Sequence, residues 1–219
     1  MKISYQDVKD NQAIRTYIQK ADESLIALGY TEHSFAHVTK VAETAAYILK
    51  TMGYSDREVE LSQIAGYLHD IGNVVNRTDH AQSGAIMAFR ILDTMGFDAD
   101  EIATIITAIG NHDESTAFPV NAVAAALILA DKTDVRYTRV RNYDVSSFDI
   151  HDKVNYSVKK ADLNIVDHKN IILELLVDTG MSPVMDYFEV FLGRMKLCRK
   201  AADRLGLKFK LIINGQQLI

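Results

Sequence analysis

The chain has 219 residues, 48% of them hydrophobic, which is enough for one large domain or for one domain with a small appendage. A formal charge of −5 and a pI near 5.8 argue against general nucleic-acid binding, while a local basic patch and a small anionic ligand remain compatible with them. The lone cysteine, Cys198, excludes an intramolecular disulfide, and the longest clean apolar run, Ala122 to Ala130, is far too short to cross a bilayer. The opening Met-Lys-Ile-Ser-Tyr-Gln-Asp lacks the apolar stretch of a signal peptide, so a reducing, cytoplasmic setting is expected.

The first two-thirds of the chain predicts consecutive helices. Residues 6–28 carry Ile14, Tyr17, Ala21, Leu25 and Leu28 at helical spacing, and Gly29 ends the run. Ser34 caps a second helix with His37, Val41, Ala45 and Ile48 on one face. Ser55 and Glu58 form a capping box for a third, which presents Leu61, Ile64, Ala65 and Leu68 before His69-Asp70. Gly72 breaks that helix, and 73–79 is a polar loop. His80 opens a fourth helix that stops at Gly96. Asp98 caps a fifth with an inner stripe of Ile102, Ile105, Ile109 and His112. A sixth begins near Asn121 and aligns Val123, Leu127 and Asp131. After about residue 150 the pattern changes. Residues 161–166 and 171–177 flank a turn at 167–170 and predict a hairpin. Ser182-Pro183 starts a helix to about Leu205, with Phe188, Phe191, Met195, Cys198, Ala202 and Leu205 buried. Residues 207–213 predict a third strand. The expected organisation is a helical domain over 1–149 and a ββαβ subdomain over 150–219, whose exposed strand edge leaves room for a homodimer.

Six side chains recur at core-facing or terminal positions of these helices: His37, His69, Asp70, His80, His112 and Asp131. All are imidazole or carboxylate, the ligands of borderline and hard divalent metals. A carboxylate on an apolar stripe, as at Asp131, is costly unless it is paired or metal-bound. Adjacent residues on a helix point about 100° apart, so His69 and Asp70 converge on one ion only where the helix unwinds. Six ligands exceed the three or four of a typical zinc site. They suit two ions sharing Asp70, a pair that acidifies bridging water and clamps phosphoryl oxygens. If His80 and His112 stand aside, the remaining four residues make a mononuclear site.

The order and local contexts of these residues resemble the HD-domain superfamily of metal-dependent phosphohydrolases, in its dinuclear type. The similarity runs over about 33–135. His37-Val38-Thr-Lys-Val41-Ala42 is similar to the segment of the family's first histidine, Leu68-His69-Asp70-Ile71-Gly72 to its naming motif, and Leu129-Ala130-Asp131-Lys132 to its final aspartate segment. The resemblance implies a mainly α, HD-type helical bundle, here with the small C-terminal α+β appendage. It implies cleavage of a phosphomonoester, phosphodiester or nucleotide by metal-bound hydroxide, with His69 and Asp70 at the catalytic heart. The cofactors implied are divalent ions, two per chain, with Fe, Mn, Mg, Co, Ni and Zn not distinguished. The partner implied is a small phosphorylated molecule or nucleotide, with no membrane. A di-iron oxygenase uses the same ligand types, and a non-catalytic ligand-binding module that retains metal is the third alternative. One departure stands out: several family branches place a lysine where this chain has Asn73. A helix continuing past Asp131 would carry Arg136, Arg139 and Arg141 towards the rim of the site. Arg136, Arg139 and Lys132 are therefore expected to contact substrate phosphate. His33 is expected at the surface beside the Ser34 cap, His151, His168 and Glu114 in solvent, and Cys198 in the core.

Overall fold

The structure is a computed structural model that describes residues 2–142 and 144–219. Its first expected helix is two, α1 (Tyr5–Asp10) and α2 (Gln12–Ala27). Asn11 separates them because its side-chain oxygen accepts from the backbone N–H groups of Ala13 and Ile14, which makes it an N-cap inside the apolar periodicity. Helices α3 (Phe35–Thr51) and α4 (Asp56–Leu68) begin at the predicted caps, with the Ser55–Glu58 capping box formed in both directions. A 3-10 turn at Ile71–Val74 leads to α5 (His80–Met95), and α6 (Ala99–Gly110) follows.

The hub is α7 (Ala122–Lys132). Every residue from Val123 to Ala130 is buried, because α3, α4 and α6 pack on one side of this helix and the C-terminal helix on the other. A helix apolar all round is stable only in such a position. It ends at Lys132, so the expected continuation through the arginines does not occur. The chain instead bends through 3-10 turns at Tyr137–Arg139 and Val145–Ser147, then forms a helix absent from the sequence expectation, α8 (Ile150–Ser157).

Strands β1 (Val158–Val166) and β2 (Asn170–Val177) make the expected hairpin. Asp167 and His168 supply its turn with φ of 54° and 50°, the left-handed conformation favoured in tight hairpins. Helix α9 (Val184–Arg204) crosses to β3 (Lys208–Ile213), which lies parallel to β2, and the two-residue β4 (Gln216–Gln217) completes a sheet in the order β1-β2-β3-β4. The stripe of α9 begins at buried Tyr187, whereas Phe188 is only half-buried. Cys198 lies in the core, and burial pushes its thiol up to about 12. One continuous apolar core runs from α1 to β3. Among the described residues no helix is long and apolar enough to cross a membrane.

Candidate metal centre

Five helices deliver the six expected ligands to one place. His37 projects from the first turn of α3 and Asp131 from the last turn of α7. His69 is the C-cap of α4, and Asp70 has left helical geometry with φ −99° and ψ 1°. That unwinding lets two neighbours in sequence face one centre. His80 is the first residue of α5, and His112 follows the end of α6. Two glycines permit the approach. A Cβ on Gly66 would stand 2.8 Å from the Cα of Ala42, and one on Gly72 only 2.0 Å from the carbonyl oxygen of His80. Helices α3 and α4, and the 3-10 turn and α5, therefore touch backbone to backbone.

The ligand atoms form overlapping groups within 4.8 Å of one another: His37, His69 and Asp70; His69, His112 and Asp131; Asp70, His80 and His112. Asp70 Oδ2 lies 3.2 Å from His69 Nε2 and 3.7 Å from His37 Nε2. Its other oxygen, Oδ1, lies 3.6 Å from His80 Nε2. Asp131 Oδ1 is 3.4 Å from His37 Nε2 and 3.8 Å from His69 Nε2.

All four imidazoles are oriented alike. Their Nδ1 atoms sit 2.8 Å from Asp134 Oδ2 for His37, 2.7 Å from Gly66 O for His69, 3.0 Å from Arg77 O for His80 and 2.6 Å from Ile109 O for His112. A carbonyl or carboxylate can only accept, so each Nδ1 carries the proton and each Nε2 turns inward. The Nε2 atoms of His80 and His112 are 3.2 Å apart. Burial lowers the ordinary value of His80 and takes His112 down to about 3, so both rings are neutral and two lone pairs face each other. No hydrogen bond joins two acceptors. Nitrogens about 2.1 Å from a shared cation stand roughly 3 Å apart, which fits this spacing. His37 Nε2, His69 Nε2 and Asp70 Oδ2 are likewise buried without a hydrogen-bond partner. Orphaned acceptors around two carboxylates are the signature of a cation site. Burial disfavours charge on Asp70 and Asp131, yet the His69 imidazole beside Asp70 and the Lys132 ammonium beside Asp131 hold both far below the carboxylate range.

Several surrounding residues lie outside the sequence expectation. Asp134 is buried and receives His37 Nδ1–H, Lys40 Nζ at 3.1 Å and Arg136 Nε at 2.9 Å. Burial opposes its ionisation, but the His37 hydrogen bond and the guanidinium groups of Arg139 and Arg136 hold its carboxyl far below the usual range. Its one sequence signal is a second carboxylate three residues after Asp131. Asn73 fills the place of the family lysine differently: its Nδ2 donates to Asp70 Oδ1 at 2.9 Å, and its Oδ1 accepts from Arg77 at 3.2 Å. His33 is half-buried and lines the cleft, where the expectation had it free at the surface. Its ring packs 5.4 Å from that of His37, Nδ1 donates to Thr31 O, and burial holds its pKa well below the ordinary value.

The expected phosphate contacts divide. The ligand cluster opens into a cleft of about 300 Å³ whose wall includes His33, Arg77, Lys132, Arg139 and Arg194. Lys132 lies there, buried, with Nζ 2.7 Å from Asp131 Oδ2. The other two make their bonds elsewhere. Arg136 turns to Asp134, Glu32 and Thr138. Arg139 spends Nε and NH2 on Glu32 O and NH1 on Asp134 O, at 2.8–2.9 Å. Because α7 stops at Lys132, both arginines frame Asp134, although Arg139 also lines the cleft, and Arg141 pairs with Asp22. His151 and His168 are exposed as expected, although His151 also lines the cleft. Glu114 pairs with Arg194.

Comparison with known proteins places this geometry in context. An uncharacterized protein of Methanocaldococcus jannaschii is 25% identical over 199 residues, covering 80% of this chain and 76% of the other. The crystal structure of a predicted HD superfamily hydrolase from an uncultured Thermotogales bacterium aligns over 57% of this chain and 68% of the other, at 26% identity and a TM-score of 0.46. The HD domain family matches residues 34–136, a span that contains all six clustered side chains and Asp134.

Proposed function

We propose that the chain is a metal-dependent phosphohydrolase acting on a small phosphorylated molecule or nucleotide, with two divalent ions per chain. The observation that carries this reading is the set of four inward-facing Nε2 atoms around two carboxylates, open to a cleft whose wall carries Arg77, Lys132 and Arg194. His37, His69, Asp70 and Asp131 would hold one ion, and Asp70, His80 and His112 the other. Asp70 would serve both, because its two oxygens face different histidines. Such ions supply Lewis acidity, acidifying coordinated water and clamping phosphoryl oxygens.

The chain's own groups do the rest. The Nδ1 hydrogen bonds fix each imidazole's tautomer, so no reorganisation accompanies binding. Asn73 holds Asp70 Oδ1 in place. Lys132 Nζ offers a charge beside Asp131 for a phosphate oxygen. His33, with Nδ1 committed to Thr31 O, leaves Nε2 as the free nitrogen of its ring. The test is phosphate release from a panel of phosphomonoesters, phosphodiesters and nucleotides with manganese, magnesium or cobalt. Release that is lost with chelator and in Asp70→Ala, while the helical circular dichroism persists, supports the reading. No release on any substrate, with oxygen consumption by the iron-loaded protein, overturns it in favour of an oxygenase.

A further inference from the structure

We propose that Arg194 of α9, outside the matched residues 34–136, is the guanidinium that grips the substrate's phosphate. The inference rests on the phosphohydrolase reading and names a residue that the resemblance does not reach.

Arg194 lines the same cleft as His112, Asp131 and Lys132. Two contacts fix its plane. Nε stands 2.5 Å from Glu114 Oε1, and the guanidinium carbon lies 4.6 Å from the centroid of the Phe191 ring. Phe191 is itself buried, edge-on to Tyr187 at 5.1 Å, so the surface beneath the guanidinium is rigid. Glu114 lies two residues beyond His112, which ties the position of Arg194 to the segment carrying a clustered histidine. These contacts use one edge and one face of the group. The short contact to Glu114 is made at Nε, and among the described residues NH1 and NH2 make no hydrogen bond.

The other cations near the cleft are less available. Arg139 has all three nitrogens on backbone carbonyls, and Lys132 sits on Asp131. Arg77 gives NH1 to Asn73 and packs over Tyr30 at 5.5 Å. A planar fork held at Nε, with both terminal nitrogens open, matches a phosphate bidentately and loses little conformational freedom on doing so. The C-terminal segment therefore completes the site and does more than cover it.

The test uses the full chain loaded with manganese and inorganic phosphate as probe, titrated calorimetrically. Arg194→Ala should weaken phosphate binding about ten- to hundred-fold, the span expected for one charge-assisted hydrogen bond. Arg194→Lys should recover only part of it. Metal content and melting temperature should match the parent, and on any hydrolysed substrate KM should rise more than kcat falls. A purely structural tie predicts otherwise: Arg194→Ala and Glu114→Ala would lower the melting temperature alike and leave phosphate affinity at the parent value. That result overturns the assignment and leaves the phosphohydrolase reading standing. A parent protein that binds metal but no phosphate overturns both.

Discussion

Replacing Asp134 with alanine should cost the chain its metal before it costs the fold. His37 is held by one side-chain hydrogen bond, from Nδ1 to Asp134 Oδ2 at 2.8 Å, and both side chains are buried. Without that acceptor the ring can rotate or take the other tautomer, which puts a proton on the nitrogen that faces the cluster. Losing such a supporting partner typically lowers metal affinity about 10- to 100-fold, or roughly 1.4–2.8 kcal/mol. The structural loss is bounded, because Arg139 keeps its three bonds to backbone carbonyls and Arg136 keeps Glu32 and Thr138. A charge-assisted bond is worth about 1.5–3 kcal/mol, and each kcal/mol moves the melting temperature of a chain this size by about 2–4 °C. Asp134→Asn retains an acceptor for Nδ1–H and should lose less affinity than the alanine variant. Calorimetric titration of manganese into each protein decides the matter. An alanine variant that folds and binds manganese as tightly as the parent would refute the reasoning, since His37 would then need no anchor.

Two further predictions concern the scaffold. In Gly72→Ala the new Cβ would meet backbone, His80 O at 2.0 Å and Gly84 N at 2.5 Å, so the 3-10 turn must move away from α5. A cost of about 1–3 kcal/mol should appear as a lower melting temperature together with reduced metal binding, and an alanine variant equal to the parent in both would contradict the packing argument. At the other end of the bundle, hydrogen bonds from Arg57 lower the Glu101 carboxyl to about 2. A depressed folded-state value contributes stability that is present above the unfolded value and lost as pH falls towards 2. Lys2 and Arg57 are partly solvated, so the network is worth about 1 kcal/mol, or about 2–4 °C. The parent should therefore melt above Glu101→Gln at pH 7, and the two curves should converge as pH drops below about 4. A gap independent of pH would sink the assignment.

Much of this molecule was legible in its sequence, for identifiable reasons. Caps and breakers are local, so Ser34, Ser55 and Gly96 marked helix ends that the structure repeats. The clustered side chains were legible because polar groups on apolar stripes need partners, and Asp131 and His112 sit on such stripes. Asn11 was missed because its capping bonds compete with a helical periodicity that runs straight through it. The end of α7 at Lys132 was missed for a similar reason. Where α7 stops depends on how the chain packs around Asp134, and neither spacing nor charge reveals that. Helix α8 has few strongly apolar residues and is stabilised by contacts with α9, so no pattern within it announced a helix. Arg194 was illegible for the plainest reason: 82 residues separate it from His112, and only the tertiary fold brings both to one cleft.

The account stands on inward-facing Nε2 atoms that share two carboxylates, and counting metal ions tests it most directly. Elemental analysis of the metal-replete protein, with anomalous diffraction to locate the ions, should find two per chain, one beside His37 and His69 and one between His80 and His112. His80→Ala should then retain a single ion at the first position. A parent chain that holds one ion with His80 and His112 turned away would contradict the dinuclear centre, and a parent that holds none would contradict the metal site itself.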